Sequence, residues 1–404
     1  MTGPGLMRLT NDLERYLASY DELFGRAESR QHFRLFARGQ LGTLERKSLE
    51  PIADAEKVPP RGLQQFFTQY RWDENGVRDR LQQKVAQKYG RPSGIYVIDE
   101  TSDGKKGEWT AGVARQYCGE SGKIDNCIVT VHLAYVTGKF HALLDGELFL
   151  PECWNPNPKD AEVTAKRQRA RIPEEVVHET KTVLALRQIQ RALRNGVPAR
   201  WVSADEAYGG KPWWRNAVAA EGLWYDVEVP RDTMGWVHPD TGHRAAARKV
   251  EMLASLVTAW RFKPWTQFKV HETEKGPEVW EVKAGRFWEH GEKASKDAQG
   301  LLIARNPRTE EVKYFLSNAP EDTLLITLVR VAFSRWHVER CFEDCKSELG
   351  LNHAELRNYG GLHRHLILTA VNYFFLVDQL GWEGGEKNGG PDREPSCGCG
   401  ASAA

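Results

Sequence analysis

The chain has 404 residues, with 56 Lys and Arg against 55 Asp and Glu, so its formal net charge is only +1. That length predicts more than one domain with enough apolar material for a packed core, and the charge balance gives no global signature of a nucleic-acid partner. No run of eighteen apolar residues and no charged-then-apolar leader is present, which predicts a cytoplasmic protein with no membrane partner. Seven cysteines, at 118, 127, 153, 341, 345, 397 and 399, show no finger-like spacing. They fit a reducing compartment, with Cys341 and Cys345 read as buried thiols.

Residues 1–90 read as helical. "LERYLASYDELFG" ends at a Gly, and "SLEPIADAEKVPPRGLQQFFTQYRW" gives two short helical patterns separated by "KVPP". Arg61, Gln64, Gln65 and Gln69 on the second pattern fit a helix-turn-helix reader of a DNA groove. A plain helical hairpin fits equally well.

From residue 94 the period changes. "GIYVIDET" is a β-rich run ending in acids, and "NCIVTVHLAYV" and "KFHALLDGELFL" are further strands, which together suggest an antiparallel meander. "EEVVHETKTVLALRQIQRALRNG" predicts a helix closed by Gly196, and "ARWVSADEAYGG" a short buried strand that breaks at Gly209 and Gly210. Lys159 to Arg200 holds ten basic against five acidic residues, compatible with a phosphate-facing surface and equally with a solvated helix face.

"LWYDVEVP" adds a strand, and residues 229–324 read as mainly β, with frequent Trp and recurrent turns such as "HPDTGH". "EDTLLITLVRVAFSRWHVERCFEDCKSELGL" and "LHRHLILTAVNYFFLVDQL" are long helical patterns, and 384–404 reads as a disordered tail.

This order brings three distant acids to plausible site positions. Asp99 closes the first strand, Asp205 closes a later one, and Glu339 sits on a helix. "YVID" and "WVSAD" each run apolar residues into a carboxylate, so both Asp lie at the edge of a core, where an unpaired charge is costly. A divalent cation is the natural compensator, and an all-oxygen ligand set suits Mg²⁺ or Mn²⁺. Glu100 and Glu206, next in sequence, are expected to face away, and Asp103 on the following loop is a weaker substitute for Asp99. Arg335, Glu339 and Lys346 stand at helical offsets that return all three within about 40° of one stripe.

The spacing of Arg335, Glu339 and Lys346, with "GVARQYCGESGKIDNCIVTV" downstream of Asp99, resembles the DDE transposases of bacterial insertion sequences. It matches the cut-and-paste branch whose third acid lies in a Y-x2-R-x3-E-x6-K signature, over about residues 94–380. The signature Tyr falls at Ala332. The resemblance implies an α/β fold with an RNase H-like core in two parts (91–228 and 325–383), a β-rich insertion (229–324) and an N-terminal helical DNA-binding domain (1–90).

It further implies that Asp99, Asp205 and Glu339 are catalytic and hold two divalent ions about 4 Å apart for in-line phosphoryl transfer. The implied partners are the terminal inverted repeats of an element and target DNA, with a homodimer bringing two ends together in a nucleoid-associated complex. Arg335, Lys346, Lys105, Lys106, Arg357 and Arg364 are the expected phosphate contacts. Tyr208 or an insertion Trp is a candidate replacement for the missing Tyr, and Trp236, Trp260, Trp265 and Trp280 are candidates for holding a flipped base. His363 and His365 read as DNA-facing or helix-capping rather than metal-binding. A relative that binds DNA without cutting, or a stand-alone nuclease, is the competing reading.

Overall fold

The computed structural model describes residues 3–236, 247–256, 265–273, 276–290 and 298–380. Trp260, the predicted turn at 238–243 and the tail 384–404, with Cys397 and Cys399, lie outside them.

Helices come first: α1 (Gly3–Ala18), α2 (Ala27–Leu41), α3 (Leu49–Ala55), α4 (Pro60–Thr68) and α5 (Glu74–Tyr89). Pro60 opens α4 where its missing N–H leaves no helix bond unmade. These helices share a core with the strands and helices of the rest of the chain: Leu17, Phe36, Phe67 and Val85 lie in the same buried cluster as Ile98, Leu133, Val338 and Phe374. Buried amides tie the layers together. Gln40 donates to the Leu349 carbonyl at 2.8 Å and to Thr369 at 3.0 Å, and accepts from Asn372 at 2.7 Å.

The sheet begins with β1 (Ile95–Gly104), β2 (Ala114–Cys118), β3 (Lys123–Thr137) and β4 (Phe140–Leu148), and β3 pairs antiparallel with the other three. After α6 (Ala161–Arg169) and α7 (Lys181–Arg194), β5 (Trp201–Ser203) joins β1 in parallel. Then come α8 (Glu206–Gly209), α9 (Pro212–Ala220) and β6 (Trp224–Glu228), which is parallel to β5. Helices cover both faces of the central strands, so β4 is buried along its whole length and β1 over its first five residues, acids included. The helix expected from residue 174 starts only at Lys181: Pro173–Val176 closes as a turn through the Val176 N–H to Pro173 carbonyl bond, and the Arg167 side chain holds it by donating to the carbonyls of Trp154, Pro173 and Val176.

The segment after β6 contains β7 (Met234–Trp236), β8 (Arg248–Lys249), α10 (Val250–Leu256), β9 (Thr266–Thr273), β10 (Gly276–Glu289), β11 (Gln299–Arg305) and β12 (Val312–Ser317). β12 pairs antiparallel with β6, so these strands extend the central sheet in the order β2-β3-β1-β5-β6-β12-β11-β10-β7-β8, with β4 on β3 and β9 on β10.

The chain returns through α11 (Leu325–Ala332), α12 (Trp336–Leu349) and α13 (Tyr359–Gln379). The helix expected to run through 325–349 is broken by a 3-10 turn at Phe333–Arg335, where Ser334 bonds back to the Val331 carbonyl and Phe333 packs on Trp280 and Phe315. Gly350, with φ +66°, ends α12. The buried Lys47 ammonium donates to the Glu348, Gln40 and Gly42 carbonyls and so joins the negative ends of α12 and α2. Among the described residues no helix is long and apolar enough to cross a membrane.

Candidate active site

β1 and β5 run in parallel with Val97 opposite Ser203, so Asp99 and Asp205 each fall two residues past a paired position. Asp205 follows the end of β5, whereas Asp99, expected to close its strand, is the fifth of ten residues in β1 and pairs with His132, and Asp103, expected on the loop beyond, also lies on β1. Asp205 Oδ1 caps α8, accepting from the Ala207 and Tyr208 amides at 2.9 and 3.4 Å. Glu339 arrives from the other side, in the first turn of α12, with its side chain 61% exposed.

Arg335 stands where these acids meet. Nη2 lies 3.1 Å from Asp99 Oδ2 and 3.9 Å from Glu339 Oε1, and Nη1 lies 3.3 Å from Glu228 Oε2. The Asp99 side chain is only 10% exposed and that of Arg335 20%. Burial drives the Asp99 carboxyl above its ordinary pKa; Arg335 opposes the rise and Asp205 adds to it. Burial pulls on the Arg335 guanidinium too, but Asp99, Asp205 and Glu228 outweigh it and hold its pKa above the ordinary value. Arg335 was expected at DNA phosphates. Here it neutralises the acid cluster.

Glu228, at the end of β6, and Lys313, on β12, complete the site and were not singled out in the sequence. Lys313 Nζ is 3.5 Å from Glu228 Oε2. The local signal was weak: in "LWYDVEVP" the apolar run leads into Asp226, and Glu228 follows only as the next acid on the same alternating strand face. Glu100 turns to the opposite face of the sheet, where Lys181 Nζ donates to it at 2.8 Å. The Tyr208 ring is buried beneath the cluster, near Glu100, which leaves it unable to reach DNA from the surface.

The expected phosphate contacts divide into two groups. Lys106 and Arg357 are exposed, and Lys346 is half-buried beside Asp103 and Thr130. Lys105 is engaged internally by Asp103 and by the Ala354 carbonyl at 3.0 Å. Arg364 requires a correction: it donates to Glu74 at 2.6 Å and to the Phe66 and Phe67 carbonyls at 3.1 Å, which pins α13 to α4 and α5. His363 and His365 are also packed inward. Burial lowers them to about 3 and about 4, so both are neutral, and they serve the Leu148 amide and the Leu351 carbonyl rather than DNA or a helix end.

α4 buries Leu63, Phe66 and Phe67, leaving Arg61 and Gln64 exposed. With Gln65 and Gln69 they line a groove of about 400 Å³ whose other wall is Glu355 to Asn358, including Arg357. Trp236 and Trp280 are buried, and Trp265 lies under Lys283 and Arg305. Ala332 is buried in one apolar cluster with Trp280, Val282 and Phe315, so the position faces the core rather than solvent.

A family model described as DDE superfamily endonuclease matches residues 19–274, well over half of the chain. The chain belongs to the DDE endonuclease superfamily. The match takes in Asp99, Asp205 and Glu228 of this DDE endonuclease and ends before α12. Over 199 residues the chain is 33% identical to a protein of Microchaete diplosiphon described as a probable transposase for insertion sequence element IS701. That alignment covers 49% of this chain and 48% of the relative, so the match spans about half of the relative's length.

Proposed function

We propose that this DDE endonuclease is a DNA transposase that binds the terminal inverted repeats of an insertion sequence and cuts and joins DNA at Asp99, Asp205 and Glu339. The supporting observation is the convergence of Asp99, Glu339 and Glu228 on one guanidinium, beside Asp205 and just past the parallel pairing of β1 with β5. Three antiparallel strands followed by two parallel ones, in the order β4-β3-β1-β5-β6, fit an RNase H-like core. The intervening strands, residues 229–324, are the β-rich insertion, and residues 1–90 carry the DNA reader.

Among the described residues, no three Asp, Glu, His or Cys side chains stand close enough together to hold a metal ion as they are placed. The chemistry of the donor set nonetheless fits one: the donors are all carboxylate oxygens, and burial together with Asp205 holds the Asp99 carboxyl above its ordinary pKa even with Arg335 opposing the rise. Asp99, Asp205 and Glu339 would hold two Mg²⁺ or Mn²⁺ ions, which supply Lewis-acid stabilisation of the attacking and leaving oxygens. The chain's own residues do the rest. The sheet fixes the two Asp, α12 presents Glu339 from the opposite side, and Lys346 offers a point charge to the backbone beside the cut.

The groove of Arg61, Gln64, Gln65 and Arg357 supplies a second contact with the duplex. It connects to the site through β1: Asp103, four residues or about 13 Å beyond Asp99, pairs with Lys105, which holds the Ala354 carbonyl at the foot of the groove wall. Two ends must be processed together, so the working form is a homodimer on DNA.

The test is end cleavage and strand transfer on labelled element-end DNA with Mg²⁺ or Mn²⁺, wild type against Glu339→Gln. Metal-dependent nicking that the variant loses while still binding DNA is the expected result. Wild type that binds but never cuts would leave a DNA-binding relative.

A further inference from the structure

Three features fix Glu228 next to the acid cluster. Its N–H donates to the Ala204 carbonyl at 3.0 Å, directly before Asp205. Its Cα pairs with Phe315 on β12. Its own carbonyl lies so near Gly209 that a Cβ there would stand well inside van der Waals contact. The side chain, 16% exposed, meets two cations, Arg335 at 3.3 Å and Lys313 at 3.5 Å, which offset the nearby carboxylates of Glu206 and Asp205.

The guanidinium of Arg335 therefore bridges two carboxylates of different standing. Asp99 belongs to the acid set of the proposed reaction, whereas Glu228 lies outside it. A divalent cation and Nη2 of Arg335 compete for Asp99 Oδ2. A guanidinium displaced from Asp99 is still mostly desolvated and needs an anion within reach. Glu228 supplies that anion without any movement of the backbone, because it already holds Nη1.

We propose that Glu228 is a positioning residue for Arg335: it keeps the guanidinium at the rim of the acid cluster when Asp99 turns to a divalent ion, and Lys313 of β12 fixes its carboxylate. The annexed strands are thereby linked to the catalytic centre. The inference rests on the reading of Asp99 as a metal-holding residue.

The experiment is Mn²⁺ binding to the metal-free full chain by calorimetry, with melting curves to establish folding. The proteins are wild type, Glu228→Gln, Arg335→Ala, the double variant and Asp99→Asn. With no anion to receive it, Arg335 stays on Asp99 in Glu228→Gln, and Mn²⁺ binding weakens about five- to tenfold with unchanged stoichiometry. In the Arg335→Ala background the same substitution has no effect. Equal affinity in Glu228→Gln and wild type, an equal loss in both backgrounds, or loss of one bound ion would each overturn the positioning role. Lys313→Met, expected to weaken binding about two- to threefold, carries the test should Glu228→Gln fail to fold, and unchanged affinity there also overturns it. Asp99→Asn separates the two levels: if it leaves Mn²⁺ binding intact, the metal reading itself fails, whereas a loss there with no effect of Glu228→Gln removes only the positioning role.

Discussion

Nη2 of Arg335 and Oδ2 of Asp99, 236 positions apart in sequence, meet at 3.1 Å. Arg335 is the cation that makes a buried Asp99 tolerable, so Arg335→Ala leaves a desolvated carboxylate unpaired. The loss is about 2 to 4 kcal/mol, toward the low end for a broken buried pair because Asp99 can take up a proton. The metal-free variant should melt below wild type, and saturating Mn²⁺ should raise its melting temperature by more than it raises that of wild type. Equal increments would mean that Arg335 and the ion do not share Asp99.

Asp226, on β6, is fully buried and neither of its oxygens has a hydrogen-bond partner among the described residues. Burial holds its pKa well above the ordinary carboxylate value. The folded state therefore keeps a proton that the unfolded chain releases, and stability is greatest below the unfolded Asp pKa, falling as pH climbs toward the folded one. The slope is about 1.4 kcal/mol per pH unit across that window. Asp226→Asn should raise the melting temperature at neutral pH and flatten its decline with pH. A variant with the wild-type profile would show that Asp226 is ionised in the fold.

Much of this was legible in the sequence because apolar periodicity and strand-end acids are local signals. Asp99 and Asp205 could be singled out since each follows a mostly apolar run, and β1 and β5 form where those runs predicted strands. The partner of Arg335 was not legible. An Arg four residues before a Glu reads as an exposed helix pair, and only the 3-10 turn at 333–335, set by Phe333 packing on Trp280 and Phe315, points the guanidinium inward. The fusion of β12 to β6 was equally hidden, because pairing between strands some ninety residues apart leaves no local pattern. Arg364 was misplaced for the same reason: its partners Glu74, Phe66 and Phe67 lie almost three hundred residues away.

That correction gives a paired test. Arg364→Ala strips Glu74 of its partner and takes one donor from each of two carbonyls, of which Phe66 keeps the Trp72 indole N–H, at a cost of about 2 to 3 kcal/mol. DNA affinity and its salt dependence should stay at wild-type values below the melting transition. Arg61→Ala, on the exposed face of α4, should leave the melting temperature unchanged, weaken DNA binding, and lower the slope of log affinity against log salt by about 1. Filter binding at several salt concentrations reads both. A reduced slope in Arg364→Ala would return that residue to the DNA interface.

Gly209 shows how the backbone sets the site. It closes α8 over the end of β6, and the atom an added Cβ would strike is the Glu228 carbonyl oxygen, a backbone group that cannot rotate away. Gly209→Ala must push α8 off the sheet, and Asp205, whose carboxylate caps that helix, moves with it. A shift of about 1 Å in a reacting group costs about a hundredfold in rate. The expected outcome is a hundredfold slower end cleavage together with weaker Mn²⁺ binding in a protein that still folds. Gly300→Ala is the control, since its nearest neighbours stand at 3.5 Å and beyond on the edge-to-edge pairing of β11 with β12. Should both variants cleave like wild type, the close approach of α8 to β6 would not be what places Asp205.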